Sequence, residues 1–334
     1  MNKDLDIYFN DHYGTMYEKM EKGKAKVFNY KSTLGSAKHQ FILREIPIKI
    51  NNETYYDIIT PYGYGGPIIE KWCEGNKDKF VSEFIKSFYL YCKENRIVSE
   101  FIRFHPLIRN VEDFKSFYDV TCIKETVGTN LKDFSDPFNM EFTKKTRSNI
   151  RRSLRKGVSY EIIEKPSNLE EFKEIYYSTM KRNNASDFYY FDDDYFNKVI
   201  THFQNNIINV KANFQNKTIA QGLFFIYNDL IHIHLSGTLS NYLHLSPAYI
   251  LRYAITLWGK EKGYSIIHHG GGRTNSTEDG LYKFKKGFAK NTKYDFYIGK
   301  KIWNNDVHKK LCEITGVNSQ IEYFPAYRYS RMKI

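Results

Sequence analysis

The segment Ile207–Ser236 constrains the fold of this chain more than any other. Three runs rich in β-branched and aromatic residues, Ile207–Phe214, Ile219–Tyr227 and Leu230–Ser236, are separated only by short polar stretches around Asn216-Lys217 and Asn228-Asp229. Gaps this short leave no room for a crossover, so the strands must form an antiparallel meander. Ser246 and Pro247 then open a long apolar run to Lys262, with Ser246 placed as N-cap and Pro247 at the first helical position. Gly263 stops that helix, and Ser265–His268 reads as one more strand.

The same patterning extends in both directions. Val158–Ile163 reads as a strand, and Leu169–Arg182 and Asp193–Phe203 as helices. In the first half, Lys26–Tyr30, Phe41–Ile50 and Tyr55–Thr60 are strand-like, punctuated by Gly35, Pro47 and Asn51-Asn52. PYGYGGP, Pro61–Pro67, sets three glycines between two prolines and predicts a shaped loop. A helix follows over Lys77–Asn95, with Phe80, Phe84, Ile85, Phe88 and Tyr91 at helical spacing. The strand Val98–Phe104 ends at His105-Pro106. Thr143–Gly157 carries seven basic residues and no acid, with Ile150 and Leu154 spaced to dock one narrow helical face. This stretch is the expected boundary between two domains, which a length of 334 residues allows.

The formal net charge of +12 favours anionic partners such as nucleotide phosphates, tRNA or an anionic membrane face. Lysine-rich composition from an AT-rich genome is the competing explanation. Cys73, Cys92, Cys122 and Cys312 are scattered without metal-knuckle or redox spacing, which predicts reduced thiols in a cytoplasmic protein. The polar N-terminus has no apolar core of a signal peptide. No run of ~20 apolar residues predicts a membrane span.

The ordered motifs carry a resemblance. SGT before a helix (Ser236–Thr238), the triplet Gly270–Gly272 after a strand, and LYKFKKGF (Leu281–Phe288) are similar to the second domain of Fem-like transferases. PYGYGGP, IRRSLRKG and the tail EYFPAYR resemble that family too, so the matches run from about Phe41 to Arg328. These enzymes add amino acids to peptidoglycan precursors, and relatives acylate other amines. The resemblance implies an α+β (mixed α/β) fold with two tandem GNAT-like (acyl-CoA N-acyltransferase-like) domains sharing a cleft. The implied division is residues 1–142 with 318–334, and residues 143–317. No heptad run is present, so no coiled-coil arm is expected. Two departures leave the acceptor open: His105-Pro106 stands where cell-wall members tend to have Asp-Pro, and the SGT segment lacks a following phosphate-gripping arginine.

Acyl transfer to an amine requires an aligned donor, hydrogen-bond donors for the oxyanion and removal of a proton. Thioesters and aminoacyl esters are already activated, so neither a nucleophilic residue nor a metal is needed. By resemblance Phe284-Lys285 is the reactive-site pair, with Lys283 and Lys286 beside it; a solvated basic turn is the alternative. Gly270, Gly271 and Gly272, followed by Arg273, suit close backbone approach to an anionic ligand, or form an ordinary loop. Thr238, Ser240, Asn241 and His244 precede a helix N-terminus, which attracts anions, or serve only as turn and cap. His232 and His234 share a strand face, whereas His268 and His269 do not; all four read as structural histidines, with a cleft-facing base at His232 or His234, or a zinc site, as the alternatives. His105 is a candidate base for the acceptor. Tyr62 and Tyr64 either line the acceptor cleft or pack the first domain. Arg147, Arg151, Arg152 and Arg155 are candidates for tRNA or anion contact; pairing with the acids Asp192–Asp194 is the alternative.

The expectation is an N-acyltransferase moving an aminoacyl group from aminoacyl-tRNA, or an acyl group from acyl-coenzyme A. The acceptor is an amine of a peptidoglycan precursor or nucleotide-linked sugar. Donors are co-substrates, with no cofactor bound permanently. An acetyl-coenzyme A-dependent N-acetyltransferase of amino sugars in surface polysaccharide synthesis is the second enzyme reading. A basic nucleotide- or RNA-binding module is the non-enzyme reading. Peripheral contact with an anionic membrane is a further expectation.

Overall fold

The computed structural model describes residues 6–333, with side chains through Tyr329. Residues 1–5 and 334, the extreme ends of the expected first domain, lie outside the described residues. The chain divides into two compact units, residues 1–123 with 296–334, and residues 124–295.

The first unit begins with α1 (Glu18–Glu21), β1 (Lys24–Ser32), β2 (Gly35–Ile50), β3 (Glu53–Ile59) and β4 (Gly66–Trp72). It continues with α2 (Lys77–Glu94), β5 (Ile97–Arg103) and α3 (Val111–Phe114). The chain enters the second unit within β6 (Asp119–Asn130) and leaves it within β12 (Lys293–Ile302), before α10 (Asn305–Thr315). Sheet order within this unit is β1-β2-β3-β5-β12, with β4 also on β2; only β3–β5 is parallel. Phe80, Phe84 and Phe88 recur every four residues on α2 and are fully buried against Phe41, Ile58, Ile102 and Phe104. The tail is latched through Asp57. Its carboxylate accepts from Arg44 Nε at 2.7 Å, Arg328 Nε at 2.5 Å and the Tyr327 hydroxyl at 3.1 Å.

The second unit adds α4 (Pro137–Glu141), α5 (Lys144–Arg155), β7 (Ser159–Glu164), α6 (Glu170–Arg182) and α7 (Asp193–Phe203). Then come β8 (Ile207–Phe214), β9 (Lys217–Tyr227), β10 (Leu230–Thr238), α8 (Pro247–Glu261), β11 (Ile266–Gly270) and α9 (Gly280–Lys286). Its strand order is β7-β8-β9-β10-β11-β6. The meander is present as expected, and α8 is the crossover that makes β11 parallel to β10. Gln215 and Asn216 both have positive φ, so the first hairpin turn lies one residue earlier than Asn216-Lys217. Ile250, Leu251, Ala254 and Ile255 of α8 are completely buried with Val210, Ala212 and Ile219. Gly237 lets β10 approach α6, because a Cβ there would lie 2.6 Å from the Ile175 carbonyl oxygen.

Several features differ from the sequence reading. Unit boundaries fall at 123/124 and 295/296 instead of 142/143 and 317/318. Strand ladders decide this: residues 127–130 of β6 pair with β11, and residues 298–302 of β12 pair with β5. Thr143–Gly157 is therefore no linker; α5 belongs wholly to the second unit, buried through Thr146, Ile150 and Ser153. Gly66 and Pro67 open β4 instead of closing a loop. Ser246 stands at the N-cap in a left-handed conformation, but its side chain makes no capping bond. Among the described residues, no helix is long and apolar enough to cross a membrane.

Candidate active site

The site in the second unit is built around α9. Asp279 is its N-cap: Oδ1 accepts from Tyr282 N at 2.9 Å and Oδ2 from Thr274 N at 3.2 Å. These backbone N–H groups pull the Asp279 carboxyl down to about 2. Gly272 makes room for it, since a Cβ there would lie 2.7 Å from Asp279 Oδ1. The buried Tyr282 donates to Glu125 Oε2 at 2.8 Å and fixes the other side of the helix.

Lys285 then reaches across to the glycine run, where Nζ donates to the Gly271 carbonyl at 2.7 Å. Lys124 does the same to the Gly272 carbonyl at 3.0 Å. The Lys285 side chain keeps a solvent-accessible edge, but its ammonium is packed round by protein. Burial, then the neighbouring charges of Arg252 and Lys124, lower it to about 7, with Asp279 opposing. Burial also lowers Lys124.

Arg252 projects from α8 into the same place and is 4% exposed. Its guanidinium lies 4.6 Å from the centroid of Phe284 and 5.4 Å from that of Phe288. Nη1 donates to Ala248 O at 3.3 Å, and Nε is buried without a partner among the described residues. Burial pulls Arg252 down to about 10, opposed by Tyr249. Tyr249 packs edge-on against Phe284 at 5.1 Å. His269 stacks on Phe288 at 5.9 Å, with Nε2 2.7 Å from Thr129 Oγ1. Thr129 gives its hydroxyl hydrogen to Phe288 O at 2.8 Å, so His269 Nε2 carries the hydrogen and Nδ1 is a bare, buried acceptor. Burial, then Arg252 and Lys285, hold His269 neutral.

Of the sequence candidates, Phe284, Lys285, Gly270, Gly271 and Gly272 come together here. The glycine run does not offer the expected amide cradle at this point: Gly271 and Gly272 present carbonyls to lysines. Arg273 is exposed; Lys283 is exposed and paired with Glu278, and Lys286 is half-buried. Thr238 and Ser240 gather around α6. Arg182 Nη1 donates to Thr238 O at 2.6 Å and Ser240 Oγ at 3.2 Å, and Thr179 Oγ1 accepts from Thr238 N at 2.7 Å. α6 thus supplies an arginine beside the SGT segment that the local sequence lacks. Asn241 and His244 are exposed on a 3-10 turn, Ser240–Leu245.

His234 lies on the sheet face away from Ile231 and Ile233, as does His232; burial, then His232, lowers His234 to about 3. Arg151, Arg152 and Arg155 are exposed on α5, whereas Arg147 donates to Asn139 O and Phe142 O. The acids Asp192–Asp194 do not neutralise them. Asp192 caps α7, Asp193 pairs with Lys173 and Asp194 with Lys198.

In the first unit His105 is completely buried. Nδ1 accepts from Leu107 N and Ile108 N at 3.2 and 3.1 Å, so Nε2 carries the hydrogen toward Asp6 Oδ2 at 2.8 Å. Both ring nitrogens are engaged, and this geometry leaves the proposed base without an acceptor lone pair to offer. Tyr64 packs on His105, Tyr8 and Phe296, and Tyr62 O accepts from the Tyr13 hydroxyl at 2.8 Å. The loop ties down the N-terminal segment.

Residues 144–286, from α5 to the end of α9, match the family described as Acetyltransferase (GNAT) domain. The chain is 24% identical over 173 residues to UDP-N-acetylmuramoylpentapeptide-lysine N(6)-alanyltransferase of Weissella viridescens. That alignment covers 51% of this chain and 50% of the relative, so it spans half the relative's length. The solved structure of FemX is similar with a TM-score of 0.67 at 12% identity, covering 92% of this chain and 94% of its own. The C-terminal domain of a putative lysylphosphatidylglycerol synthetase from Agrobacterium fabrum gives 0.57 at 14% identity, covering 92% of each chain. These likenesses, with the meander, the α8 crossover and the α9 site, define a GNAT-superfamily fold. Residues 144–286 carry the GNAT-type domain, and the chain as a whole is similar in fold to FemX.

Proposed function

We propose that this chain is an N-acyltransferase that carries an aminoacyl group from aminoacyl-tRNA to an amine of a peptidoglycan precursor. The observation that carries this reading is Lys285, held against the Gly271 carbonyl beside Phe284 inside the GNAT-matched segment. The activity named for the Weissella relative supports the acceptor class. In the proposed reaction the acceptor amine attacks the ester carbonyl and a C–N bond forms. Lys285 uses one N–H on Gly271 and offers the others to the tetrahedral oxyanion. The C–O bond then breaks, and the leaving ribose oxygen takes up the proton lost by the amine and becomes a hydroxyl. The ester is already activated, so the donor is a co-substrate and the chemistry requires no resident cofactor.

The exposed basic face of α5 supports tRNA as donor: Lys144, Lys145, Arg151, Arg152, Arg155 and Lys156 have no carboxylate within ion-pairing distance among the described residues. The GNAT description of the matched family favours a second reading, acetyl-coenzyme A as donor and an amino sugar as acceptor. A donor screen separates them. Labelled alanyl-tRNA and acetyl-coenzyme A are each offered with UDP-N-acetylmuramoyl pentapeptide and with an amino-sugar nucleotide. Transfer from alanyl-tRNA to the pentapeptide is expected. Transfer from acetyl-coenzyme A alone supports the second reading, and no product from either donor overturns both.

A further inference from the structure

Arg252 is a cation in the wrong place for a purely structural residue. It is 4% exposed, lies between two phenylalanine rings, and has no carboxylate partner among the described residues. Among the described residues its guanidinium makes one hydrogen bond, back to its own helix at Ala248, and Nε makes none. A buried guanidinium left this way is costly unless something anionic pairs with it.

The surroundings add to the imbalance. Lys285 and Lys124 both carry ammonium groups into the same place, and both are used by glycine carbonyls. Asp279 is the nearby carboxylate, and it is committed to the α9 cap by backbone N–H groups. Tyr249 contributes a phenol, and His269 is neutral with a bare Nδ1. Among the described residues, three cations therefore meet here beside one acid, Asp279, that is already occupied.

We infer that Arg252 forms an oxyanion-binding subsite beside Lys285, taking a phosphate or carboxylate group of the bound ligand. Phe284 and Phe288 form its walls and exclude water, which strengthens a charge-assisted bond. Either the phosphate of a donor or nucleotide, or the carboxylate of a peptide acceptor, satisfies the same chemistry. The inference rests on the transferase reading for the ligand's identity, but not for the binding event. An anion seated there also neutralises the charge that presses on Lys285, so the lysine regains a proton. His269 Nδ1 provides an acceptor for a hydroxyl of the same ligand.

The test is residue-resolved labelling of Lys285 by an amine-reactive acylating reagent at pH 6, read by peptide mass spectrometry on the full chain. Labelling is measured in chloride, inorganic phosphate or acetate at matched ionic strength. An opposite charge at this range raises a lysine by about one pH unit or more, so saturating anion should slow labelling ~10-fold. Arg252→Gln should abolish that protection, and Arg252→Lys should retain part of it. Thermal melts of both variants show that they are folded; if only Arg252→Lys folds, its weakened protection carries the test. Protection by phosphate alone assigns the subsite to a phosphate, and by acetate alone to a carboxylate. Protection by neither anion, or equal protection in the Arg252 variants, overturns the inference. Protection without acyl transfer from any donor would retain the subsite and sink the transferase reading instead.

Discussion

The Nζ of Lys285 donates to the carbonyl oxygen of Gly271 at 2.7 Å, fastening α9 to the exit of β11. A lysine held by one carbonyl keeps two N–H groups for a ligand, and its position no longer depends on the freedom of a four-carbon stem.

That buried lysine has a consequence for stability. Its folded pKa, about 7, lies below the ordinary lysine value near 10.4. Between the two the unfolded chain holds the proton and the folded chain does not, so stability rises with pH across that window. Below about 7 both states are protonated and the full cost of the buried charge remains. Lys285→Met removes the titration. In urea unfolding it should exceed wild type most at pH 6, with the gap closing toward pH 10. A gap independent of pH would contradict the assigned shift.

Asp279 and Gly272 act as a unit, because the glycine's missing Cβ is the space occupied by the carboxylate. Gly272→Ala should displace Asp279 from the α9 cap and lower turnover, as should Asp279→Ala. Asn is also a good cap, so Asp279→Asn should be milder. Steady-state kinetics on the three variants check this order; equal turnover in all three would show that the cap does not position Lys285.

Thr129 sits between two buried groups, accepting from His269 Nε2 and donating to Phe288 O. Thr129→Val leaves both unpaired and should cost about 1–3 kcal/mol in denaturant unfolding. A change within the scatter of wild type would mean that the bridge is not formed.

The unpaired arginines of α5 make a salt-dependent prediction for the proposed donor. Arg151→Glu, Arg152→Glu and Arg155→Glu combined should weaken tRNA binding. They should also make the slope of log affinity against log salt shallower by about two to three. An unchanged slope would remove α5 from the RNA-binding surface.

The sequence shows some of this more clearly than the rest. The meander and α8 are readable because hydrophobic period and turn residues agree over a continuous stretch. Phe284 and Lys285 are readable through the motif around them. Arg252 did leave a local signal, a lone cation within the apolar run YILRYAITLW, but its meaning depends on Phe284 and Phe288 arriving from 32 and 36 residues downstream. Lys124 has no local signal, because its partner Gly272 is 148 positions away. The role of His105 needed Asp6, 99 residues earlier. The domain boundaries were displaced because a basic helix looks like a linker in one dimension, whereas the chain changes units inside β6 and β12, where strand pairing is invisible to local pattern.

The most direct measurement is turnover of Lys285→Ala in the alanyl-tRNA and UDP-N-acetylmuramoyl pentapeptide assay, with a thermal melt of the same preparation. Loss of an oxyanion donor predicts a fall of about 10²–10³-fold in kcat with the fold retained. Undiminished turnover in the folded variant would contradict the assignment of Lys285 as the centre of the transfer site.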